Sequence, residues 1–355
     1  MTKPSLLELP PGVQLVYLAE GGANVIYRFV PSTSNLAVNN DIKHSLSSSS
    51  STQNQNLNDY EIPATFKGKL LRLRKETASD VSYKEIIHNF NAKIRPLFHP
   101  HELIDQILIR LPDNLLPQCN EQLRISERNG SRSTKRHGGY LCLSESFGLF
   151  ITDMTIFNEP GATLAELKPK WLLQSPSAPV SSKRCRTCAL REMKNDQSRR
   201  MGMKEQRSFC PLDLVSERFE NVLRATAFIK GCDDRARLAR ILFRNSTLRN
   251  LQSRQKSCRE VGLLGPSSLS RETSLDMTLR DCTMFIKIPR DETSPVEIRL
   301  GDLDLKTGAG GKAQYWRDLE HQLIDGGWYT GSNKCQEPSE CALARSREIG
   351  SKNGC

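Results

Sequence analysis

Apolar residues recur in two kinds of pattern along the first half of the chain. One is typical of strands and the other of helices. An apolar run over 15–19 and a β-rich run over 25–30 predict strands on either side of a glycine turn, and apolar residues at every second position predict a half-buried strand over 68–75. Apolar residues three or four apart predict helices over 82–98 and 102–111. The pattern therefore indicates a fold that mixes strands and helices.

The second half of the chain continues this mixture. Alternation predicts strands over 164–171, 281–288 and 296–306, whereas helical spacing is typical of 209–230, 235–259 and 314–329. A plausible hinge follows the strand that ends near Phe150. We therefore predict an α/β (α+β) protein of two lobes, 1–151 and 152–330, with a Ser/Asn-rich disordered insertion at 32–58 and a polar tail at 331–355.

Composition narrows the class of protein. Hydrophobic residues make up 37% and charged residues 26% of the 355 positions, which fits a globular chain. No apolar run has the length of a membrane span and no secretory signal opens the chain, so we expect an intracellular protein, in nucleus or cytoplasm, that does not insert into a membrane. Eleven scattered cysteines then indicate reduced thiols without a disulfide framework.

Charge points to the kind of partner. The 51 lysines and arginines exceed the 40 acidic residues, which leaves a formal net charge of +11. Such a balance indicates a polyanionic partner: nucleic acid, an anionic membrane surface or a heavily phosphorylated small molecule. Charge alone does not choose among them.

Short motifs carry candidate phosphate chemistry. In "EGGAN", Gly21 and Gly22 let backbone N–H groups approach phosphate oxygens, although an ordinary hairpin turn explains the same pair. In "GDLDLK", Asp302 and Lys306 share one face of a predicted strand, where they suit either Mg²⁺ beside a triphosphate or a structural ion pair. Asp281, at the start of a predicted strand, is placed either to accept a hydroxyl proton or to form a turn.

The segment "LAELKPKW" places Glu166, Lys168 and Lys170 on one face of a predicted strand, which is either a phosphate-binding face or a solvated edge. "CRTC", with Cys185 and Cys188, has the spacing of a zinc site, but such a site needs two further ligands and no second C-x-x-C occurs. We therefore expect no zinc there.

Taken in order, "EGGAN", "LLRLRK", "ELKPK", "CRTC", "FCPLDL", "RDCTMF", "DLDLK" and "QYW" resemble the inositol-pentakisphosphate 2-kinases over about 21–329, and "E-x-K-P-K" is similar to a signature of that family. The resemblance implies a two-lobed fold distantly similar to protein kinases, with ATP between the lobes. It implies Mg²⁺ as cofactor and inositol 1,3,4,5,6-pentakisphosphate as the substrate, whose 2-hydroxyl is phosphorylated to give the hexakisphosphate, phytate.

The resemblance also implies roles for individual residues. It implies ATP binding by Gly21, Gly22, Ala23, Asn24, Arg72, Thr152, Asp153, Met154, Glu166, Lys168 and Asp302. Within that set, 152–154 would form the adenine hinge, Glu166 would bind the ribose and Asp302 would bind Mg²⁺. It implies substrate binding by Lys168, Lys170, Lys306, Lys312 and Tyr315. Asp281 and Lys168 would be catalytic, with Asp281 orienting and deprotonating the axial 2-hydroxyl.

Two departures from the family pattern matter. The family usually continues with proline after Lys306, whereas "TGAGG" intervenes here, so the later basic ligand is either Lys312 or absent. Plant members carry a structural zinc between the "PLDL" helix and the catalytic aspartate. Here that interval offers Cys232 and Cys258 but no histidine, so we predict no zinc site.

Two other functions stay open at this point. The basic stretches 183–207 and 235–259 suit a nucleic-acid-binding protein, although no RRM, KH or zinc-finger signature accompanies them. A catalytically silent binder of inositol phosphates would carry a similar cleft. For the kinase we expect a monomer without an obligate nucleic acid. Five phosphomonoesters, at a total charge of roughly −8 to −10, account for a strongly basic cleft.

Overall fold

The chain divides into two compact units in a computed structural model. The model describes residues 6–10, 13–30, 64–77, 81–157, 159–258, 261–264, 271–306, 312–331 and 340–345. One unit comprises Met1–Ile87 and Asp105–Asp153, and the other His88–Ile104 and Met154–Cys355. The predicted insertion 32–58, the "TGAGG" segment and most of the predicted tail lie outside the described residues. The predicted division at 151/152 differs from this one in keeping 88–104 with the first lobe.

The first unit is built on a six-stranded sheet whose order is β1-β5-β6-β4-β3-β2. Only β1 and β5 pair in parallel; the other neighbours are antiparallel. The strands are β1 (Leu7–Glu8), β2 (Gln14–Glu20), β3 (Asn24–Val30), β4 (Lys69–Arg74), β5 (Gln106–Arg110) and β6 (Phe147–Thr152). Helix α2 (Leu115–Arg128) covers the sheet with the apolar side chains of its first turns. The predicted hairpin is confirmed as β2 and β3.

The sheet order corrects two predictions. β4 lies between β3 and β6, so Leu71 and Leu73 are fully buried and Arg72 on the opposite face is buried as well, not half-solvated. The predicted helix over 102–111 is wrong, because its centre forms strand β5. Ile107 and Ile109 are β-branched and pair along β6, and this sheet contact outweighs the helical spacing.

Helix α1 (Tyr83–Asn89) begins in the first unit, and its continuation over Phe90–Ile94 and Arg95–Leu97 lies in the second. The predicted helix over 82–98 therefore exists, but it changes from α to π and then to 3-10 geometry along its length. Pro96 does not interrupt it, because this proline occupies the first turn of the 3-10 segment, where its absent N–H costs nothing.

The second unit contains a three-stranded antiparallel sheet and most of the helices. The sheet order is β7 (Thr163–Leu167), β8 (Thr283–Ile288) and β9 (Glu297–Gly301). The helices are α3 (Arg186–Arg200), α4 (Pro211–Leu214), α5 (Phe219–Thr226), α6 (Arg235–Leu242), α7 (Ser246–Ser257), α8 (Arg271–Leu279) and α9 (Lys312–Asp325). The mixture of strands and helices predicted from the sequence is confirmed.

Two long predicted helices are each divided. The region 209–230 forms α4 and α5, separated by a turn in which the Ser216 hydroxyl accepts a hydrogen bond from the Arg218 N–H at 3.2 Å. The region 235–259 forms α6 and α7. Arg244 between them adopts a left-handed backbone with φ of 55°, and Asn245 then caps α7 by accepting from the Leu248 N–H at 3.1 Å. These local side-chain contacts end helices that the hydrophobic period alone would continue.

Within the described part of the chain, none of the helices has the length and apolar character that crossing a membrane requires.

Candidate functional site

Three strand ends of the second unit meet at one edge of its sheet. β8 runs antiparallel to both β7 and β9, with Leu167 opposite Met284 and Thr283 opposite Gly301. The start of β8 therefore lies beside the ends of its two neighbours. Lys168 and Lys170 follow β7, Asp281 precedes β8, and Asp302 follows β9. The register thus brings together side chains from three distant parts of the sequence.

The segments that carry these side chains are not strands, as predicted, but irregular extensions of them. β7 ends at Leu167 and β9 at Gly301. Lys170 and Asp302 have left-handed φ angles of 60° and 57°, which bend the chain sharply after each strand. A non-glycine residue in this region costs about 1–3 kcal/mol, and such residues concentrate at functional sites. The bend at Lys170 lies where a regular strand would have continued its backbone hydrogen bonds to the neighbouring strand.

The carboxylate of Asp281 lies at the centre of a group of three lysines. The Nζ atoms of Lys170, Lys306 and Lys168 lie 2.7, 3.0 and 3.6 Å from its oxygens. Lys168 also donates to the backbone carbonyl of Asp281 at 3.0 Å and to the carboxylate of Asp302 at 2.8 Å. All of these side chains belong to the predicted site, and together they form one connected ion-pair network.

This network sets the protonation of its members. Burial raises the pKa of Asp281, but the hydrogen bonds and charges of Lys170 and Lys306 lower it more, so that it falls to about 2. Burial lowers the pKa of Lys168, whereas the hydrogen bond to Asp302 and the nearby carboxylates raise it above its usual value. At neutral pH Asp281 is therefore ionised and Lys168 is protonated.

A cavity of about 1160 Å³ opens beside Asp281. Its lining contains ten basic and two acidic side chains, so its formal charge is strongly positive. The charged lining residues are Glu166, Lys168, Lys170, Arg186, Arg191, Lys194, Arg207, Lys230, Arg280, Asp281, Lys306 and Lys312. Tyr315, one turn after Lys312 at the start of α9, also lines it. Except for Asp302, every predicted C-lobe site residue from Glu166 onward borders this cavity.

Several cavity residues were not singled out from the sequence. Helix α3 contributes Thr187, Arg191 and Lys194 to the lining, which are spaced as i, i+4 and i+7 and so share one face. This spacing is the signal that could have found them. Part of the basic stretch 183–207, which also suits a nucleic-acid surface, lines the cavity.

Trp171 and two arginines form a buried part of the cavity wall. The guanidinium carbons of Arg186 and Arg280 lie 4.3 and 4.8 Å from the indole centroid, within range of cation–π attraction. Arg186 donates to Glu320 at 2.8 Å, and Arg280 donates to the backbone carbonyls of three residues. These hydrogen bonds fix both guanidinium groups and keep positive charge at the wall.

Lys230 reaches the cavity from a turn that requires glycine. Gly231 has φ of 90°, and a Cβ there would lie 1.9 Å from the carbonyl oxygen of Leu164 in β7. Residue 231 must therefore be glycine for the turn to pack against the strand. The close packing of this turn on β7 also places Lys230 opposite Glu166 in an isolated backbone β-bridge.

In the first unit, the predicted phosphate loop is the turn between β2 and β3. The Gly21 N–H donates to the Asn24 carbonyl at 2.8 Å, and the Ala23 carbonyl accepts from the Lys75 N–H at 2.8 Å. Neither Gly21 nor Gly22 has a left-handed φ, and no described atom lies within 4 Å of a Cβ built at Gly21. The local fold therefore does not itself demand glycine at position 21.

The other predicted ATP residues are distributed over both units. Arg72 lies in β4, with its guanidinium 5.8 Å from the Tyr83 ring centroid. Thr152 ends β6, and the Asp153 N–H donates to the Gly68 carbonyl at 2.9 Å. Met154 is buried in the second unit.

Asp302 has the chemistry of a magnesium ligand. Its carboxylate is about half exposed, at 51%, which leaves room for the water molecules that Mg²⁺ retains. One of its oxygens pairs with Lys168. Asp302 therefore fits a metal that also binds the phosphates of a second ligand.

The cysteines of "CRTC" have two further cysteines beside them, which the sequence did not suggest. Cys185 and Cys188 lie beside Cys210 and Cys341, and the four sulfur atoms are all within 4.8 Å of one another. Cys210 and Cys341 come from parts of the sequence that no local motif connects to "CRTC".

The fold and the cavity define a class of protein: an α/β chain of two units, the second of which has a cavity lined by many cations and few carboxylates, as suits an anionic ligand. The chain belongs to the inositol-pentakisphosphate 2-kinase family, whose model matches residues 17–259 and 245–322. An inositol-pentakisphosphate 2-kinase of Yarrowia lipolytica is 36% identical over 168 residues, which cover 46% of this chain and 53% of that protein. Another from Debaryomyces hansenii is 26% identical over 332 residues, covering 78% and 76%. The chain thus spans about half the length of the first relative.

Proposed function

We propose that this protein transfers the γ-phosphate of ATP to the 2-hydroxyl of inositol 1,3,4,5,6-pentakisphosphate. The observation that carries the proposal is the cavity beside Asp281, with ten basic and two acidic side chains. A ligand with a charge of roughly −8 to −10 requires many charge-assisted hydrogen bonds. Membership of the inositol-pentakisphosphate 2-kinase family supports the same substrate.

In this proposal Asp281 orients the attacking hydroxyl and accepts its proton. In the structure its basicity is low, since Lys170 and Lys306 hold its pKa at about 2. Phosphate groups that enter the cavity would take over these lysines as partners. The carboxylate would then lose much of the stabilisation of its charged form, and its pKa would rise toward the ordinary range. The base would become stronger when the substrate is bound.

The remaining roles are proposed from the resemblance to the family. Lys168, placed between Asp281 and Asp302, would neutralise charge on the transferring phosphoryl group, while Lys170, Lys306, Lys312 and Tyr315 would bind substrate phosphates. Mg²⁺ held by Asp302 would neutralise the triphosphate. Glu166 would bind the ribose, residues 152–154 the adenine, and Arg72 and the loop from Gly21 to Asn24 the ATP phosphates. An open position at Gly21 suits close approach of a phosphate to the backbone.

The test is transfer of radiolabelled γ-phosphate from ATP and Mg²⁺ to inositol pentakisphosphate by the full chain, with products separated by ion exchange. We expect a hexakisphosphate product, and a loss of about 100-fold or more in kcat for Asp281→Asn, as for removal of a general base. Asp318→Asn is the matched control, because Asp318 is exposed on α9 and does not line the cavity.

Three results would contradict the proposal in different ways. Wild-type rates in Asp281→Asn would refute the role of this carboxylate. Tight binding of inositol pentakisphosphate without turnover would identify a silent binder. Salt-sensitive RNA binding without ATP turnover would favour the nucleic-acid alternative.

A further inference from the structure

Glu320 is a fully buried carboxylate to which the proposed chemistry gives no role. It lies in α9 and is 0% exposed. Its Oε1 accepts from the Ser175 hydroxyl at 2.5 Å and the Tyr329 hydroxyl at 2.6 Å, and its Oε2 accepts from Arg186 Nε at 2.8 Å. We call these four residues the Glu320 network. Both oxygens are thus occupied, as a buried charge requires, and the carboxylate is held in one place.

Arg186 connects the Glu320 network to the cavity. It is the first residue of α3 and lines the cavity, although only 5% of it is exposed. The helix dipole disfavours a cation at this end of a helix, and α3 has no acidic residue in its first turn to offset it. Glu320 supplies that negative charge from another helix. The needs of α3 therefore do not explain an arginine at this position.

Most of the hydrogen-bonding capacity of Arg186 is unused by the protein. A guanidinium has five N–H donors, and Glu320 occupies the one on Nε. Among the described residues, none accepts a hydrogen bond from Nη1 or Nη2 of Arg186. Arg280, which also lies against the Trp171 ring, differs because both of its Nη atoms donate to backbone carbonyls. Of these two arginines, Arg186 is the one that can bind a ligand in the cavity.

The guanidinium of Arg186 is also held in a fixed orientation. Glu320 holds Nε, and the guanidinium carbon lies 4.3 Å from the Trp171 ring centroid. A phosphate group accepts two parallel hydrogen bonds from a guanidinium, and a guanidinium that is already oriented loses little conformational freedom on binding. The geometry therefore suits a phosphate group and not merely a negative charge.

We propose that Arg186 binds one phosphate of inositol pentakisphosphate through its Nη atoms, and that Glu320 is the positioning residue that orients this guanidinium. The inference rests on the substrate of the proposed function but not on turnover. Ser175 and Tyr329 in turn fix Glu320. The Glu320 network thereby selects for a phosphate, rather than a hydroxyl, at one position of the inositol ring.

The main test is a double variant, Arg186→Met with Glu320→Gln, in the full chain. Removing both charges together leaves no buried ion unpaired, so this variant should keep the wild-type fold, which thermal unfolding checks. In isothermal titration calorimetry without ATP, it should bind inositol pentakisphosphate at least about tenfold more weakly. In turnover, KM for inositol pentakisphosphate should rise by the same factor, whereas kcat and KM for ATP should change by less than about twofold.

The matched control, Lys287→Met with Glu159→Gln, removes an ion pair of the same unit that does not line the cavity. It should bind inositol pentakisphosphate as the wild type does. Wild-type affinity in the variant that lacks Arg186 and Glu320 would overturn the proposal. Binding by the wild type without turnover would refute the proposed phosphotransfer alone, and the calorimetric loss would still support Arg186 as a ligand.

Two single variants keep the charges of the Glu320 network and so leave no buried ion unpaired. Arg186→Lys should weaken binding of inositol pentakisphosphate by about tenfold, because its single nitrogen pairs with Glu320. Tyr329→Phe should weaken binding by about threefold in the wild type but not in the double variant, because it acts through Glu320 and Arg186. Full affinity in Arg186→Lys, or an equal effect of Tyr329→Phe in both backgrounds, would refute the assignment.

A panel of inositol tetrakisphosphates identifies the phosphate that Arg186 binds. The tetrakisphosphate that lacks this group should bind the wild type and the double variant with equal affinity, whereas the others should bind the double variant about tenfold more weakly. If every tetrakisphosphate lost affinity to the same extent, no single phosphate would contact Arg186 and the proposal would fail.

Discussion

Glu20, directly before the glycine turn, shows how a single buried residue fixes the geometry of that turn. Its carboxylate is 3% exposed and pairs with Lys75 and with Arg132, whose two bonds are both 2.8 Å. Lys75 donates in addition to the Gly21 carbonyl at 3.1 Å. Burial raises the pKa of Glu20, but the bonds from Arg132 and Lys75 lower it more, to about 2. The end of β2 and the first glycine are therefore held by one network.

Replacing Glu20 by glutamine should destabilise the first unit by about 3 kcal/mol at pH 7, because buried Lys75 loses its carboxylate partner and buried Arg132 loses one of its two, Glu127 being retained. Hydrogen exchange of the β2 and β3 amides in urea measures this loss of stability. Glu8→Gln is the control: Glu8 is exposed and pairs with Arg110, so its loss should cost less than about 1 kcal/mol.

The pH dependence of this difference follows from the lowered pKa of Glu20. A carboxyl whose pKa is lower in the folded state stabilises the fold above its ordinary pKa, and this stabilisation is lost as pH falls toward the folded value. The difference in free energy of unfolding between wild type and Glu20→Gln should therefore decrease as the pH falls from about 4.5 toward 2. A gap that stays constant on acidification would contradict the assigned network.

At the scale of elements, the sequence predicted that strands are present more accurately than it predicted the residues at which they end. Apolar and β-rich runs identified the β2–β3 hairpin, and short apolar or alternating runs identified β7, β8 and β9, because buried strand faces leave such patterns in the sequence. Pro169 signalled a break after β7, but the pattern did not show the left-handed bend at Lys170, whose side chain pairs with Asp281 from a distant segment. Motifs supplied the candidate site residues but not the α3 side chains that line the cavity, because only the structure shows which face of that helix borders the cavity.

Helix α3 supplies the prediction at this scale. Lys194 lines the cavity, so Lys194→Ala should raise KM for inositol pentakisphosphate by about tenfold, the effect of losing one charge-assisted hydrogen bond. KM for ATP should change less than about twofold. Arg200→Ala, which removes an exposed partner of Asp196 from the same helix, should leave both constants unaltered. If both variants raised KM for inositol pentakisphosphate equally, α3 would have a purely structural role.

At the scale of the whole molecule, the excess of positive charge has a kinetic consequence. The chain carries a formal net charge of +11, and the cavity lining concentrates ten cationic side chains against two anionic ones. A field of one sign raises the local concentration of an oppositely charged ligand and its rate of association. Exposed charges are screened over about 8 Å at physiological ionic strength, and over shorter distances at higher salt.

Salt should therefore weaken the binding of the two substrates to different extents. Between about 50 and 500 mM salt, we expect KM for inositol pentakisphosphate to rise by about tenfold or more, and KM for ATP to rise less, because ATP carries fewer charges. Initial rates at matched viscosity measure both constants, with sucrose as the uncharged control. In Lys194→Ala the salt dependence for inositol pentakisphosphate should be shallower, since one cation fewer is screened. Parallel salt dependence for both substrates would mean that the cavity charge stabilises the protein's own carboxylates rather than attracting the polyanion.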